Sequence, residues 1–420
     1  MKTNSVFPHQ KLPRDLRDAA SGSNLGNLPE WDLTHLYSAE DSPVLTRDLS
    51  WLNEECINFA KDYENKLAGL SANEMLECIV RYEKIQSISG RIMSFAGLRY
   101  YQITTDANRA KFIADMQGQI TDFSTPLVFF SLEMNCLNDD VLQKMLASNA
   151  DLARYKPVLD RMRAMKPYQL SNEMEKFLHD QSVVGATAWN RLFDETCAAL
   201  EFDVDGQILN LEGTANLLSD PDRSTRQKAA EAFAKTLREN LTLFARITNT
   251  LAKEKEIEDR WRELPTPQSG RHLANDVEPE VVQALRDAVV AAYPKLSHRY
   301  YALKAKWMGL EKLEVWDRNA PLPDSDDATI HWEEARSTVT EAYAAFSPKM
   351  AELAEPFFDQ GWIDAAVKPG KAPGAFAHPT VTDAHPYVML NYLGKQRDVM
   401  TLAHELGHGI HQVLAADQGE

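Results

Sequence analysis

The sequence predicts a mainly α-helical protein with a small β-sheet set beside a helix that carries an H-E-x-x-H pattern. Three observations predict it. Apolar residues recur at helical spacing in the first half of the chain, as in Leu76, Ile79, Val80, Ile85 and Ile88, or Phe112, Met116, Ile120 and Phe123. Residues 364–392 break that rhythm with turn-rich and strand-like segments. Directly after them, Val399 to His411 reads V-M-T-L-A-H-E-L-G-H-G-I-H, with no proline and no charge between Val399 and Ile410 except Glu405.

Size and composition set the outer bounds. A chain of 420 residues can bury a large core and has room for two or three domains. Hydrophobic content of 44% and charged content of 25% are ordinary for a soluble globular protein. A formal net charge of -17 argues against nucleic acid or an anionic membrane as partner, because both repel an acidic surface. No apolar run approaches membrane-spanning length, and Met1 to Arg17 lacks the apolar centre of a secretory signal. Cys56, Cys78, Cys136 and Cys197 lie far apart without a C-x-x-C. They read as reduced, partly buried thiols of a cytoplasmic protein, with no part in holding metal.

Element by element, residues 1–27 read as a flexible leader, with Ser21 to Asn27 a spacer and order expected from Leu28. From about 45 to 199 helix follows helix, and Tyr100, Tyr101, Phe129 and Phe130 read as core. Residues 28–199 are therefore expected to form an N-terminal helical lobe without chemistry of its own. Near residue 200 the pattern changes. Segments 200–204 and 207–211 flank Asp205-Gly206, a two-residue hairpin signal. Asp220 is expected to cap a helix with Pro221 at its first position, running to about Glu263 with a break near Asn240. Pro279 starts another helix, bent at Pro294 and closed by Gly309. Further helices are expected over 331–346 and 348–360, the second stopped by Gly361. Segments 375–377 and 387–392 read as short strands leading into the H-E-x-x-H helix. The second domain is drawn over 200–420.

The helix is where chemistry is expected. Residues i and i+4 of a helix project in nearly the same direction, so His404 and His408 can grip one metal ion. Glu405, about 100° round the helix, can reach a metal-bound water but not easily the metal. Two His ligands plus a carboxylate base is the zinc-peptidase arrangement. With 11 His in the chain, chance supplies about 0.02 such matches, so coincidence is a weak rival. Gly407 and Gly409 each cost about 1 kcal/mol in a helix, which suggests that something packs close to the backbone there. An exposed sheet edge beside such a metal can bind an extended peptide through main-chain hydrogen bonds.

Several stretches together resemble the oligoendopeptidase F family of zinc metallopeptidases, relatives of thimet oligopeptidase. They are Trp31-Asp-Leu33, the segment from Phe202 to Arg223, Tyr300-Tyr301 with Leu303-Lys304, Pro386 to Tyr392 followed by Arg397-Asp398, and Leu402 to His408 with His411. The resemblance implies a two-lobed, zincin-type helical metallopeptidase whose deep channel admits short peptides. It implies one Zn2+ per chain, His404 and His408 as ligands, Glu405 as general base, and Gly374, Ala375 and Phe376 as the strand that aligns substrate. His411 matches a family position near the metal. It lies about 10.5 Å along the axis from His404, so a role behind the ligands or in packing is expected. In the family the third zinc ligand is a Glu on a following helix, accompanied by downstream His and Tyr residues. By that comparison the third ligand is expected beyond residue 420, the domain over 200–420 is incomplete at its C-terminus, and this chain is a truncated, poorly active form. Two rival readings are a zinc carboxypeptidase of the same structural clan and a non-catalytic helical scaffold whose histidines are core residues. Oligomeric state is left open.

Overall fold

A computed structural model describes residues 25–322 and 329–419, and the chain separates by its internal contacts into two compact units. Among the described residues, one comprises 36–100 and 104–322; the other comprises 25–35, Tyr101–Ile103 and 329–419. Most of the leader expected over 1–27 lies outside the described residues.

The larger unit is almost wholly helical. Its first half includes α1 (Pro43–Tyr63), α2 (Ala72–Gln102), α3 (Ala107–Ser124), α4 (Val128–Cys136), α5 (Asn172–Gln181) and α6 (Ala186–Ala199), with further helices such as Asp139–Ser148 and Lys156–Arg163 between α4 and α5. Side-chain caps fix several starts: Ser42 accepts from Val44 N–H, and Asp106 accepts from Asn108 and Arg109 N–H. The core between α1, α2 and α4 is aromatic, with Tyr82 stacked on Phe130 at 4.2 Å and Phe59 against Phe129 at 5.8 Å. Cys56 and Cys78 are buried in it, and burial pushes both thiols up to about 12.

The second half of this unit starts with the hairpin of β1 (Phe202–Val204) and β2 (Gln207–Leu209). Asp205 and Gly206 both have positive φ (58° and 88°), as a tight two-residue turn requires. Two long helices follow, α7 (Arg223–Glu239) and α8 (Leu241–Trp261), parted at Asn240 as the sequence predicts. The cap of α7 corrects the sequence expectation by two residues. Asp222, not Asp220, accepts from Thr225 N–H at 2.8 Å, while Asp220 is used one step earlier by Asp222 N–H. Pro279 begins α9 (Pro279–Ala292), and the chain breaks at Pro294 instead of bending before α10 (Ser297–Trp307). A buried ion cluster ties α7 to the turn at 315–317. Arg226 and Arg223 donate to the Asp317 carboxylate at 3.0 and 2.9 Å and hold its pKa down to about 2 against the opposing effect of burial.

The smaller unit carries the predicted sheet. It contains α11 (Trp332–Phe346), α12 (Pro348–Asp359), β3 (Ile363–Asp364), β4 (Phe376–His378), β5 (Tyr387–Met389) and α13 (Gln396–Ala415). The sheet order is β3-β5-β4, with β3 parallel and β4 antiparallel to β5. Strand β3 has no counterpart in the sequence reading, and β4 begins one residue later than the 375–377 expected. One apolar core joins these parts, with Phe357, Ile363, Val388, Leu402 and Leu406 all fully buried. Residues 25–35 are laced onto it: Trp332 N–H donates to Leu25 C=O, Ala365 N–H to Pro29 C=O and Asp32 N–H to Gly361 C=O. Among the described residues no helix is long and apolar enough to cross a membrane.

Candidate metal centre and peptidase site

Helix α13 is amphipathic, which is why its histidines share a face. Val399, Leu402, Leu406 and Ile410 form the buried stripe, packed on α11, α12 and the sheet. His404 and His408 fall on the opposite, exposed side. The helix is thus buried along one stripe and open along the other. At its start Asp398 accepts from Leu393 N–H at 2.9 Å and Lys395 N–H at 3.1 Å, anchoring the first turn. Burial pushes the Asp398 carboxyl up, against the lowering effect of those bonds. One turn on, the Tyr343 hydroxyl of α11 donates to Ala403 C=O, immediately before His404. Gly409 is explained by a close neighbour, since a Cβ there meets two Phe357 ring carbons at 2.7 Å. Gly407 is not so constrained: the nearest atom is the Tyr343 hydroxyl at 3.7 Å.

The two imidazoles do converge. His404 Nε2 and His408 Nε2 lie 3.1 Å apart, with ring planes at 88°. Two nitrogens held at 2.0–2.1 Å from one ion at a tetrahedral angle are separated by about 3.3 Å, so the pair fits the grip of a single zinc ion. Glu405 is half-buried at the edge of this face. His411 is exposed two turns beyond His404. Among the described residues no group of three or more His, Cys, Asp or Glu converges on one point, so His411 does not complete the ligand set here.

Strand β4 packs on α13 and occupies one edge of the sheet. Its hydrogen-bond phase follows from β5. Val388 and Leu390 turn their N–H groups toward β3, donating to Trp362 and Asp364 C=O at 2.8 and 2.9 Å. Alternate residues therefore face β4, where Phe376 is opposite Met389 and His378 opposite Tyr387. Ala377, between them, turns its backbone N–H and C=O to the outer edge. Of the residues singled out in sequence, Phe376 is in β4 and Gly374 and Ala375 lead into it. Gly374 has φ +80°, and its carbonyl accepts from Asn391 Nδ2 at 3.0 Å. The Phe376 ring packs edge-on against Tyr101 at 5.3 Å.

A feature with no motif to announce it holds this sheet in place. Lys371 is buried and donates to Asp364 Oδ1 at 2.6 Å and to the carbonyls of Asp364, Ala366 and Leu390. Gln102 donates to the other Asp364 oxygen at 3.2 Å. A lone Lys and Asp seven residues apart give no signal in sequence; only the fold makes them partners.

The larger unit holds a cavity of ≈ 1620 Å³ whose lining includes Ser124, Glu175, His179 and Arg262. Two of its polar pairs are already joined, Arg262 with Glu175 at 2.7 Å and Ser124 with His179 at 3.0 Å. On α13 the His404–His408 face brings two metal-binding side chains together beside a carboxylate.

This helix, its imidazole pair and the flanking sheet edge define a zincin-type metallopeptidase architecture. The chain matches the family described as Peptidase family M3 over residues 216–419 and the domain described as Oligopeptidase F over residues 133–202. It belongs to peptidase family M3, on its oligoendopeptidase F branch. It is 25% identical to the group B oligopeptidase PepB of Streptococcus agalactiae, over 94% of this chain and 66% of that protein. It is 23% identical to the oligopeptidase PepF of Bacillus subtilis, over 91% of this chain and 57% of that protein. The chain thus spans somewhat under two thirds of the length of these relatives. Among solved structures, the oligoendopeptidase F of Enterococcus faecium aligns with TM-score 0.60 and 21% identity over 74% of this chain and 62% of that one. PZ peptidase A with an inhibitor aligns with TM-score 0.63 and 16% identity, over 87% and 62%. These two likenesses show the shared fold.

Proposed function

We propose that the protein is a zinc-dependent metalloendopeptidase that hydrolyses short peptides, with residues 200–420 contributing its catalytic domain. The observation that carries this reading is the 3.1 Å approach of His404 and His408 beside a carboxylate and an open strand edge, in a member of a peptidase family. In it, His404 and His408 hold the ion and a further carboxylate completes the set. When bound, zinc supplies Lewis acidity, bringing the pKa of water to about 7 and polarising the scissile carbonyl. Glu405 takes the proton of the attacking water and delivers it to the leaving amine, so one carboxylate serves as base and then acid. The peptide lies extended along Gly374, Ala375 and Phe376. The outward N–H and C=O of Ala377 offer it main-chain hydrogen bonds, so recognition reads backbone more than side chains.

The test is Glu405→Gln in the full-length protein, assayed on a quenched fluorescent peptide together with bound zinc. Cleavage is expected to fall by about 10²- to 10⁴-fold with zinc content unchanged. Unchanged cleavage removes Glu405 from the chemistry, and loss of zinc from this variant recasts it as a ligand. Products from a peptide blocked at its carboxyl end separate endopeptidase from carboxypeptidase action.

A further inference from the structure

A second pair of imidazoles meets elsewhere in the smaller unit. His35 Nδ1 lies 2.8 Å from His385 Nε2, although 350 residues separate them in the chain. The rings stand at 83° with centroids 4.8 Å apart, close to the 88° and 4.6 Å of His404 and His408. His385 is locked in orientation. Its ring stacks on Trp362 at 3.9 Å and 8°, and its Nδ1 lies 3.1 Å from Pro386 C=O. A carbonyl only accepts, so Nδ1 carries the proton and Nε2 presents its lone pair to His35. A ring nitrogen fixed by a backbone carbonyl on its far side is the usual support for a metal-ligating histidine. The Asp32 carboxylate, held by Thr34 N–H at 2.9 Å, lies close enough to attract positive charge on either ring. His35 itself is exposed, so the point between the rings is reachable from solvent.

We propose that His35 and His385 form a second site for a transition-metal dication, distinct from the one on α13. Two imidazole donors select zinc, nickel or copper over magnesium or calcium. Among the described residues no third His, Cys, Asp or Glu reaches this point, so water fills the remaining positions and Asp32 supplies nearby negative charge. The site is consequently weaker and more exchangeable than one with three or four protein ligands. Its structural effect is to pin the end of the segment 29–35 to the loop that enters β5. That segment is already tied by Tyr387 Oη, which donates to Asp32 C=O at 2.7 Å. A metal here extends the same seam to its exposed end.

The experiment is a zinc titration of the metal-stripped full chain carrying H404A and H408A, read by calorimetry and by thermal unfolding. The expected result is one bound equivalent with a rise in Tm, and no response to magnesium. Adding His35→Gln is expected to abolish both. Glutamine can still donate a hydrogen bond to His385 Nε2, so this variant keeps a hydrogen-bonded pair while removing a metal ligand. Circular dichroism without metal checks that it is folded. Absence of zinc binding in the H404A/H408A protein, or binding that His35→Gln leaves unchanged, overturns the proposal and leaves two histidines joined by a plain hydrogen bond. The α13 site is judged separately, by the equivalent that H404A and H408A remove from the parent, so either assignment can fail alone.

Discussion

On α13, two glycines two residues apart do different work, and substitution separates them. A methyl at Gly409 lands 2.7 Å from two carbons of the Phe357 ring, which is fully buried and cannot swing away. Gly409→Ala is expected to cost about 1–3 kcal/mol through this overpacking, more than offsetting the gain in helix propensity. Gly407→Ala meets only the Tyr343 hydroxyl at an ordinary 3.7 Å, so the propensity gain of up to about 1 kcal/mol should survive. Urea denaturation of the two variants checks this, and equal destabilisation would remove Phe357 as the cause. The sequence showed that glycine in this helix needs a reason. It could not show which glycine has one, because the reason is a ring on another helix some fifty residues earlier.

Between elements, the decisive contact is the buried Lys371–Asp364 pair. Lys371 reaches carbonyls of β3, of the end of β5 and of the loop after β3, so it holds in register the strands that flank the proposed substrate edge. Desolvation lowers its pKa, opposed by the attraction of Asp364. Replacing Lys371 by Met leaves the buried Asp364 with only the more distant Lys368, at 4.0 Å, as counter-charge, and about 3–5 kcal/mol of stability is expected to be lost. The double change Lys371→Met with Asp364→Asn removes the charge as well and should recover a large part. A double-mutant cycle in chemical denaturation measures that recovery. Elements specified locally were legible from sequence: the Asp205-Gly206 hairpin, the break at Asn240, the start at Pro279 and the 399–411 stretch of α13 each carry their signal within a few residues. Strand β3 was not. Two residues are too short for a period, and Ile363-Asp364 becomes a strand only because β5 lies beside it. The His35–His385 approach is hidden for the same reason, being made by tertiary structure alone.

At the scale of the whole molecule, acid should act on the protein in two opposing ways. Its net charge of -17 falls as pH drops toward the pI of ≈ 5.2, which relieves self-repulsion and favours the folded state. His378 on β4 works in the other direction. Burial holds its pKa down to about 4 against an ordinary 6.5, so the folded protein resists a proton that the unfolded chain accepts. Between those two values the unfolded state binds more protons. The histidine's contribution is thus fully present above about pH 6.5 and is lost as pH falls toward 4. From pH 7 to pH 5 that loss comes to about 1–2 kcal/mol, after allowance for residual solvation of the ring. Because the charge effect is common to every variant, comparison isolates the histidine. His378→Asn should lose less stability between pH 7 and pH 5 than the parent by that amount, whatever its own stability at pH 7. Parallel pH dependences for the two proteins would mean that the His378 ring is open enough to protonate without unfolding, and that β4 is more solvated than its packing on α13 indicates.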